Sequence, residues 1–468
     1  MQTAYDVRHP DVGVTGLCLD DLFDIEDALG GDATTAVETP NGLLAALRAI
    51  APSVESVTPL APSQRDLYLH ACRDPDNLTY ILAYALALRA DVDVDVGAWR
   101  AALRAAERRA PTFRSRYVEV RQALLQIVDT KAVAPLEVIR VADAAEAATA
   151  IEAARSRPFE LFDGAVRHLL LLGDGFATAV LVAHHIAIDT MSAALFFGEV
   201  FAASGAAEAS GAGSTGAGID ERFTEWAGRA AATVDSAAAI AACRGAFAGA
   251  RALLPVALAG DETRNHVRLD TGSVRVLARW CAQNKLQLAA ALKYAAARVL
   301  AEQFSPGADF VVYDVISDRS LRHMTSIGCH YRMLPLVLTR EMLAGTDPRS
   351  DAASFQRYLR DETARLPVSM LAVSTLSGER GAPVFFNYFD YAAMAPLLEL
   401  PDTAHPGMRP ARFDVYDRID DGETHLLFYR EHDGFGITVR SRHPAMAGRA
   451  MAEAIAARVM SWAGGAPA

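Results

Sequence analysis

No stretch of this chain constrains its folding more than Leu181-Val182-Ala183-His184-His185-Ile186-Ala187-Ile188-Asp189-Thr190-Met191-Ser192, an apolar strand running straight into two histidines and an aspartate. Successive side chains of an extended chain point to opposite faces, so adjacent histidines cannot both reach one atom. One active imidazole is expected, the other being structural. Asp189 follows His185 by four residues, past the strand end, where a buried carboxylate can fix the loop if a cation neutralises it. The site therefore needs an arginine from elsewhere in the chain.

The flanking sequence gives this strand its place. His168 to Leu172 and Phe176 to Ala183 border Gly173-Asp174-Gly175, a hairpin signal, and apolar residues on both faces of the second segment make it a central strand. After Asp189 a helix runs through Ala194, Leu195, Phe197 and Val200. The Ala, Gly, Ser and Thr tract Ala203 to Gly218 reads as a mobile loop between two lobes. Tyr80 to Leu88 is a buried strand, and Asp95 caps a helix in which Val96, Trp99, Leu103 and Ala106 recur at helical spacing. Later come helices over Ser273 to Asn284 and Leu286 to Phe304, a strand over Phe310 to Ile316, a hairpin around Asp433-Gly434 and a closing helix from Ala445 to Trp462. Strands alternating with helices give an α/β class.

Composition removes several function classes. A net charge of -12 and no basic run argue against nucleic-acid binding. The five cysteines, Cys18, Cys72, Cys243, Cys281 and Cys329, have no CxxC spacing and read as reduced core thiols. Met1 to Gly16 lacks the apolar core of a signal peptide, and Gly173-Asp174-Gly175 interrupts the most hydrophobic region, so a cytoplasmic protein without a membrane span is expected. No third ligand accompanies His185 and Asp189 as catalytic zinc would require, so no metal is expected. No GxSxG elbow supports a serine hydrolase.

The histidine stretch resembles the HHxxxDG signature of the condensation domains of nonribosomal peptide synthetases, within the chloramphenicol acetyltransferase-like superfamily; Thr190 stands in place of the family glycine, and Ser192 matches the serine that follows. Pro59-Leu60-Ala61-Pro62-Ser63-Gln64 resembles the opening motif of that family. Arg109 to Tyr117 is similar to its RHExLRTxF motif, with Ala110 and Pro111 replacing His-Glu. Phe223-Thr224-Glu225-Trp226-Ala227, Ser317-Asp318-Arg319, Ser326 to Leu336 and Val384 to Tyr388 resemble a Tyr-x-Asp-Tyr-Ala helix, a Gly-Arg turn, IGxFVNTLPLR and the late FNY strand.

The resemblance implies two α/β lobes of chloramphenicol acetyltransferase-like fold in a V shape, residues 58–225 and 226–468, with the active site in the tunnel between them. It implies His185 as the catalytic base, His184 as structural, Asp189 braced by Arg114, and Thr190, Ser192, His330, Arg332 and Asn387 lining the tunnel. It implies a free-standing acyltransferase that binds no cofactor itself and takes its acyl donor from the 4'-phosphopantetheine of a separate acyl or peptidyl carrier protein. The acceptor is then a free small molecule, another carrier-bound unit or a water-soluble alcohol, giving an amide or an ester, the latter suiting chain release in natural-product biosynthesis. A CoA-dependent acyltransferase and an inactive carrier-docking platform stay open beside it. Residues 1–57 resemble the β-hairpin docking elements that precede some condensation domains, with a packed N-terminal extension as the alternative. Leu29-Gly30-Gly31-Asp32-Ala33 is similar to the LGGDS of carriers, but Ala33 removes the serine that would bear phosphopantetheine.

Overall fold

The computed structural model describes residues 44–45, 47–48, 52–90, 94–120, 123–210, 219–247, 249–257, 260–365, 368–370, 373, 381–390, 408–420, 422–430, 434–447 and 449–464. They form two compact units, and the chain divides between them at Ala232/Thr233. Residues 319–330 and the described part of 397–418 return to the first unit, so residues 226–468 do not make one lobe alone.

The first unit is built on a five-stranded sheet in the spatial order Met408–Tyr416, Ile81–Ala90, Phe176–His184, Val166–Gly173, Leu136–Arg140. All its pairs are antiparallel except the last, Leu136–Arg140 beside Val166–Gly173. The histidine strand is central, and its apolar residues explain why: Val180 and Val182 pack with Ile151 and Ala154 of helix Ala144–Arg155 on one face. Leu181, on the alternate side, is also fully buried. Helix Val96–Arg109, capped as expected by the Asp95 carboxylate on the Gly97 and Ala98 N–H groups, packs against helix Thr190–Ser210 through the rings of Trp99 and Phe201, 5.6 Å apart.

One expectation is corrected here. The tract from Ala203 is helical through Ser210, as suits a strong helix former such as alanine, and residues 211–218 lie outside the described residues. The end of the N-terminal extension belongs to the first unit: strand Val54–Pro59 pairs with Ala123–Asp129, and Leu47 is buried with Val118, Leu125 and Ile127. Residues 1–43, most of the 1–57 stretch in which the docking element was expected, lie outside the described residues.

The second unit has a sheet in the order Thr263–Leu269, Phe435–Ser441, Thr424–Arg430, Val384–Asp390, Phe310–Ser317, Tyr331–Leu338, with Arg251–Ala252 paired beside Phe310–Ser317. Alternate residues of these strands, among them Val312, Phe386, Phe428 and Ile437, bury one face under helices Thr271–Gln283, Leu288–Phe304, Pro348–Thr363 and Met451–Ala463. The last of these begins at Met451 because Pro444–Met446 forms a separate 3-10 turn. Inside this unit Lys293 Nζ donates to both oxygens of Asp314, at 2.6 and 2.7 Å, so that neither buried charge stands alone. No described helix is long and apolar enough to cross a membrane.

Candidate functional site

The two histidines separate as the strand geometry requires. His184 ends the strand opposite Ile81 and is buried, whereas His185 is half-buried, with its N–H bonded to the Tyr80 carbonyl at 2.7 Å. Their ring nitrogens have opposite tasks. His184 Nδ1 accepts the Ile186 N–H at 3.2 Å, so this ring carries its proton on Nε2 when neutral. His185 Nδ1 lies 2.8 Å from the Ile188 carbonyl, an acceptor only, so this nitrogen carries the proton and the lone pair falls to Nε2.

The tight turn after His185 is held carbonyl by carbonyl. The Ile186 oxygen receives Gln64 Nε2 at 3.0 Å, the Ala187 oxygen receives the Thr112 hydroxyl at 2.6 Å, and the Ile188 oxygen receives His185 itself. Gln64 is set by its own partners, accepting the Ala61 N–H and donating to Gln126. A buried loop needs this accounting, because each unpaired carbonyl would cost about 1–3 kcal/mol. The imidazole is therefore fixed by a loop that is itself fixed.

Asp189 closes the turn. Its carboxylate accepts the Ser192 N–H at 2.8 Å, the His330 N–H at 3.0 Å and Arg319 Nη2 at 2.9 Å from each oxygen. Arg319 also donates to the Ser326 carbonyl at 2.6 Å, and the Ser192 hydroxyl donates to the Gly328 carbonyl at 2.7 Å. The required cation is thus Arg319, not Arg114. The Arg114 guanidinium is occupied elsewhere, donating to the Glu107 and Arg108 carbonyls at a helix end and to Glu55 at 2.7 Å.

The other expected residues divide between the units. Ser192 and His330, expected to line a tunnel, are fully buried and serve the Asp189 brace instead. His330 sits against the Phe223 and Trp226 rings, centroids 5.0 and 4.7 Å away, and its Nε2 pairs with the Ser326 hydroxyl at 2.6 Å. Thr190 is the buried first residue of helix Thr190–Ser210. Arg332 and Asn387 belong to the second unit, on strands Tyr331–Leu338 and Val384–Asp390. Gly328 has no room for a side chain: a Cβ there would stand 2.2 Å from the Phe223 ring.

Arg319, Gln64 and Thr112 are the working residues that sequence reasoning passed over. All three lie within recognised motifs, and the signal that could have found Arg319 is its arginine type at the turn just before Ser326 to Leu336.

Burial lowers the pKa of His185, against the opposing pull of the Ile188 carbonyl and Asp189, so the neutral form is favoured. Burial would raise the Asp189 carboxyl, but Arg319, with His330 and Ser192, holds it below its ordinary value. Burial pushes both His184 and His330 down to about 3, and the Arg319 guanidinium adds to the effect at His330. Below about pH 6.5 the unfolded chain takes up protons that these two buried rings refuse. Their contribution is complete above that pH and is lost as pH falls towards 3, at up to about 1.4 kcal/mol per unit for each ring. The urea midpoint is expected to drop clearly from pH 7 to pH 5; an unchanged midpoint would refute the neutral assignment.

This geometry can be set beside known proteins. The Condensation domain family model matches residues 54–344, more than half of the chain. The condensation domain from Monacolin K polyketide synthase MokA is 16% identical, with 89% of this chain and 99% of that one covered and a TM-score of 0.69. The X-domain from teicoplanin biosynthesis is 21% identical, with 88% and 96% covered and a TM-score of 0.70. An arginine-to-alanine variant of the starter condensation domain of rhizomide synthetase RzmA, in complex with C8-CoA, is 19% identical, with 88% and 96% covered and a TM-score of 0.67. At these identities the likeness is one of fold. No curated protein matches the chain.

Proposed function

Because this chain belongs to the condensation-domain family, whose members are generally acyltransferases acting on carrier-bound substrates, we propose that it joins an acyl group from a carrier-protein phosphopantetheine thioester to an amine or hydroxyl acceptor. The observation that carries this reading is the His185 imidazole, locked by the Ile188 carbonyl in the tautomer whose Nε2 takes a proton. As the acceptor attacks the thioester carbon, its proton passes to Nε2 and the C–N or C–O bond forms. Collapse of the tetrahedral intermediate then breaks the C–S bond, and the departing pantetheine sulfur receives the proton. Low pKa keeps His185 neutral and ready for the first of these transfers.

Intact-protein mass spectrometry tests the proposal. A carrier bearing an acyl-phosphopantetheine is mixed with this protein and a panel of amines and alcohols. Loss of the acyl mass together with the matching amide or ester is expected. A second reading, with acyl-CoA as donor, is favoured by the C8-CoA complex of the rhizomide starter domain. It predicts product from acyl-CoA without any carrier. A carrier that stays loaded with every acceptor, and no turnover of acyl-CoA, would favour a docking role without catalysis.

A further inference from the structure

In the second unit, helix Ala237–Phe247, strand Tyr331–Leu338 and the end of helix Pro348–Thr363 enclose a cavity of about 380 Å3, within the range of small-molecule sites. Its width follows from the sequence. Ala238, Ala239, Ala242 and Ala246 present only methyl groups on the helix side, and Met333, Pro335 and Val337, alternate residues of the strand, make an apolar wall opposite. The frame is tied together by Asp235, whose carboxylate accepts both the N–H and the hydroxyl of Ser369 at 2.8 Å.

One end of this apolar space is charged. Arg332, Glu362 and Arg365 all line it. Glu362 meets Arg365 at 2.9 Å, which answers one guanidinium. Arg332 is only 7% exposed; its Nη groups donate to the carbonyls of Thr363 and Arg365 at 2.6 and 3.2 Å, but among the described residues its Nε has no hydrogen-bond partner. Those carbonyls carry partial charge only, so they orient the cation without neutralising it. Among the described lining residues, two guanidinium groups and one carboxylate leave one positive charge over, beside a buried N–H that still has a bond to give. The other polar groups of the described lining do not supply the missing anion. The Tyr358 hydroxyl donates to the Val337 carbonyl at 2.9 Å, and burial pushes the Cys243 thiol up to about 11, keeping it protonated.

We propose that this cavity binds a compact carboxylic acid, its aliphatic or aryl body between the alanine face and the strand and its carboxylate on Arg332. The site lies within the second unit and does not depend on the acyl-transfer reading of His185.

Titration calorimetry with octanoate, on the full chain, tests it. Saturable binding of octanoate is expected, with 1-octanol at least tenfold weaker, the scale of a charge-assisted hydrogen bond. Arg332→Met should weaken octanoate by a similar factor, and Ala242→Leu, which fills the space, should remove binding while circular dichroism shows a folded chain. His185→Ala should leave octanoate binding unchanged. Absence of saturable binding by the natural protein would overturn the proposal, as would equal affinity for 1-octanol or binding unaffected by Ala242→Leu. Loss of binding in His185→Ala would place the acid at the acyl-transfer site and overturn it equally.

Discussion

Arg319→Met is expected to destabilise the first unit by about 3–5 kcal/mol, because it leaves Asp189 as a buried carboxylate without its cation. The guanidinium is almost wholly buried, 1% exposed at the side chain, and it does more than neutralise charge. Its Nη1 secures the His323 and Ser326 carbonyls while its Nη2 holds Asp189 and Ser192, so one side chain ties the turn at 319–330 to the loop after His185. Urea denaturation measures the loss. Asp189→Asn in the Arg319→Met background should recover part of it, since the double change leaves no uncompensated charge. Arg114→Met should show no such coupling with Asp189→Asn, because Arg114 pairs with Glu55. Coupling of Asp189 to Arg114 and not to Arg319 would contradict the observed brace.

His185→Ala is expected to slow acyl transfer from a loaded carrier by about 10²–10⁴-fold, the usual worth of a positioned general base. Stability should change far less than in Arg319→Met. The half-buried ring bonds the Ile188 carbonyl, and the neighbouring carbonyls of Ile186 and Ala187 keep their bonds to Gln64 and Thr112. His184→Ala should behave in the opposite sense, since that ring is buried and supports the Ile186 N–H. Single-turnover deacylation of the carrier, followed beside thermal unfolding, separates the two roles. A His185→Ala protein as fast as the natural one would remove His185 from the chemistry.

Much of this site is legible in the sequence alone, for identifiable reasons. Period-two alternation on an apolar strand already separated His184 from His185, and the Gly173-Asp174-Gly175 turn already made the strand one arm of an antiparallel hairpin. The need for a cation at Asp189 followed from burial alone. Its identity did not, because Arg114 and Arg319 both occupy recognisable motifs, and only the fold shows Arg114 bonded to the end of helix Val96–Arg109. The roles of Gln64 and Thr112 were equally hidden. Each bonds a carbonyl more than seventy residues away, and no local pattern announces a backbone oxygen in need of a donor. The family resemblance implies a tunnel-lining place for His330 and Ser192; their full burial is explained by the polar partners found around Asp189. The division of the chain was missed at 319–330, which joins two strands of the second unit yet belongs to the first.

The proposed acyl transfer turns on a neutral His185 acting as the base. Its most direct test is the pH dependence of single-turnover acyl transfer from a loaded carrier to an alcohol acceptor, run on the natural protein and on His185→Ala. Protonation of His185 should silence the natural protein only as pH falls below the ordinary histidine value of about 6.5, since burial lowers its pKa, and that acid limb should vanish in the variant. The same acid limb in His185→Ala, or a limb in the natural protein lying above pH 7, would contradict it.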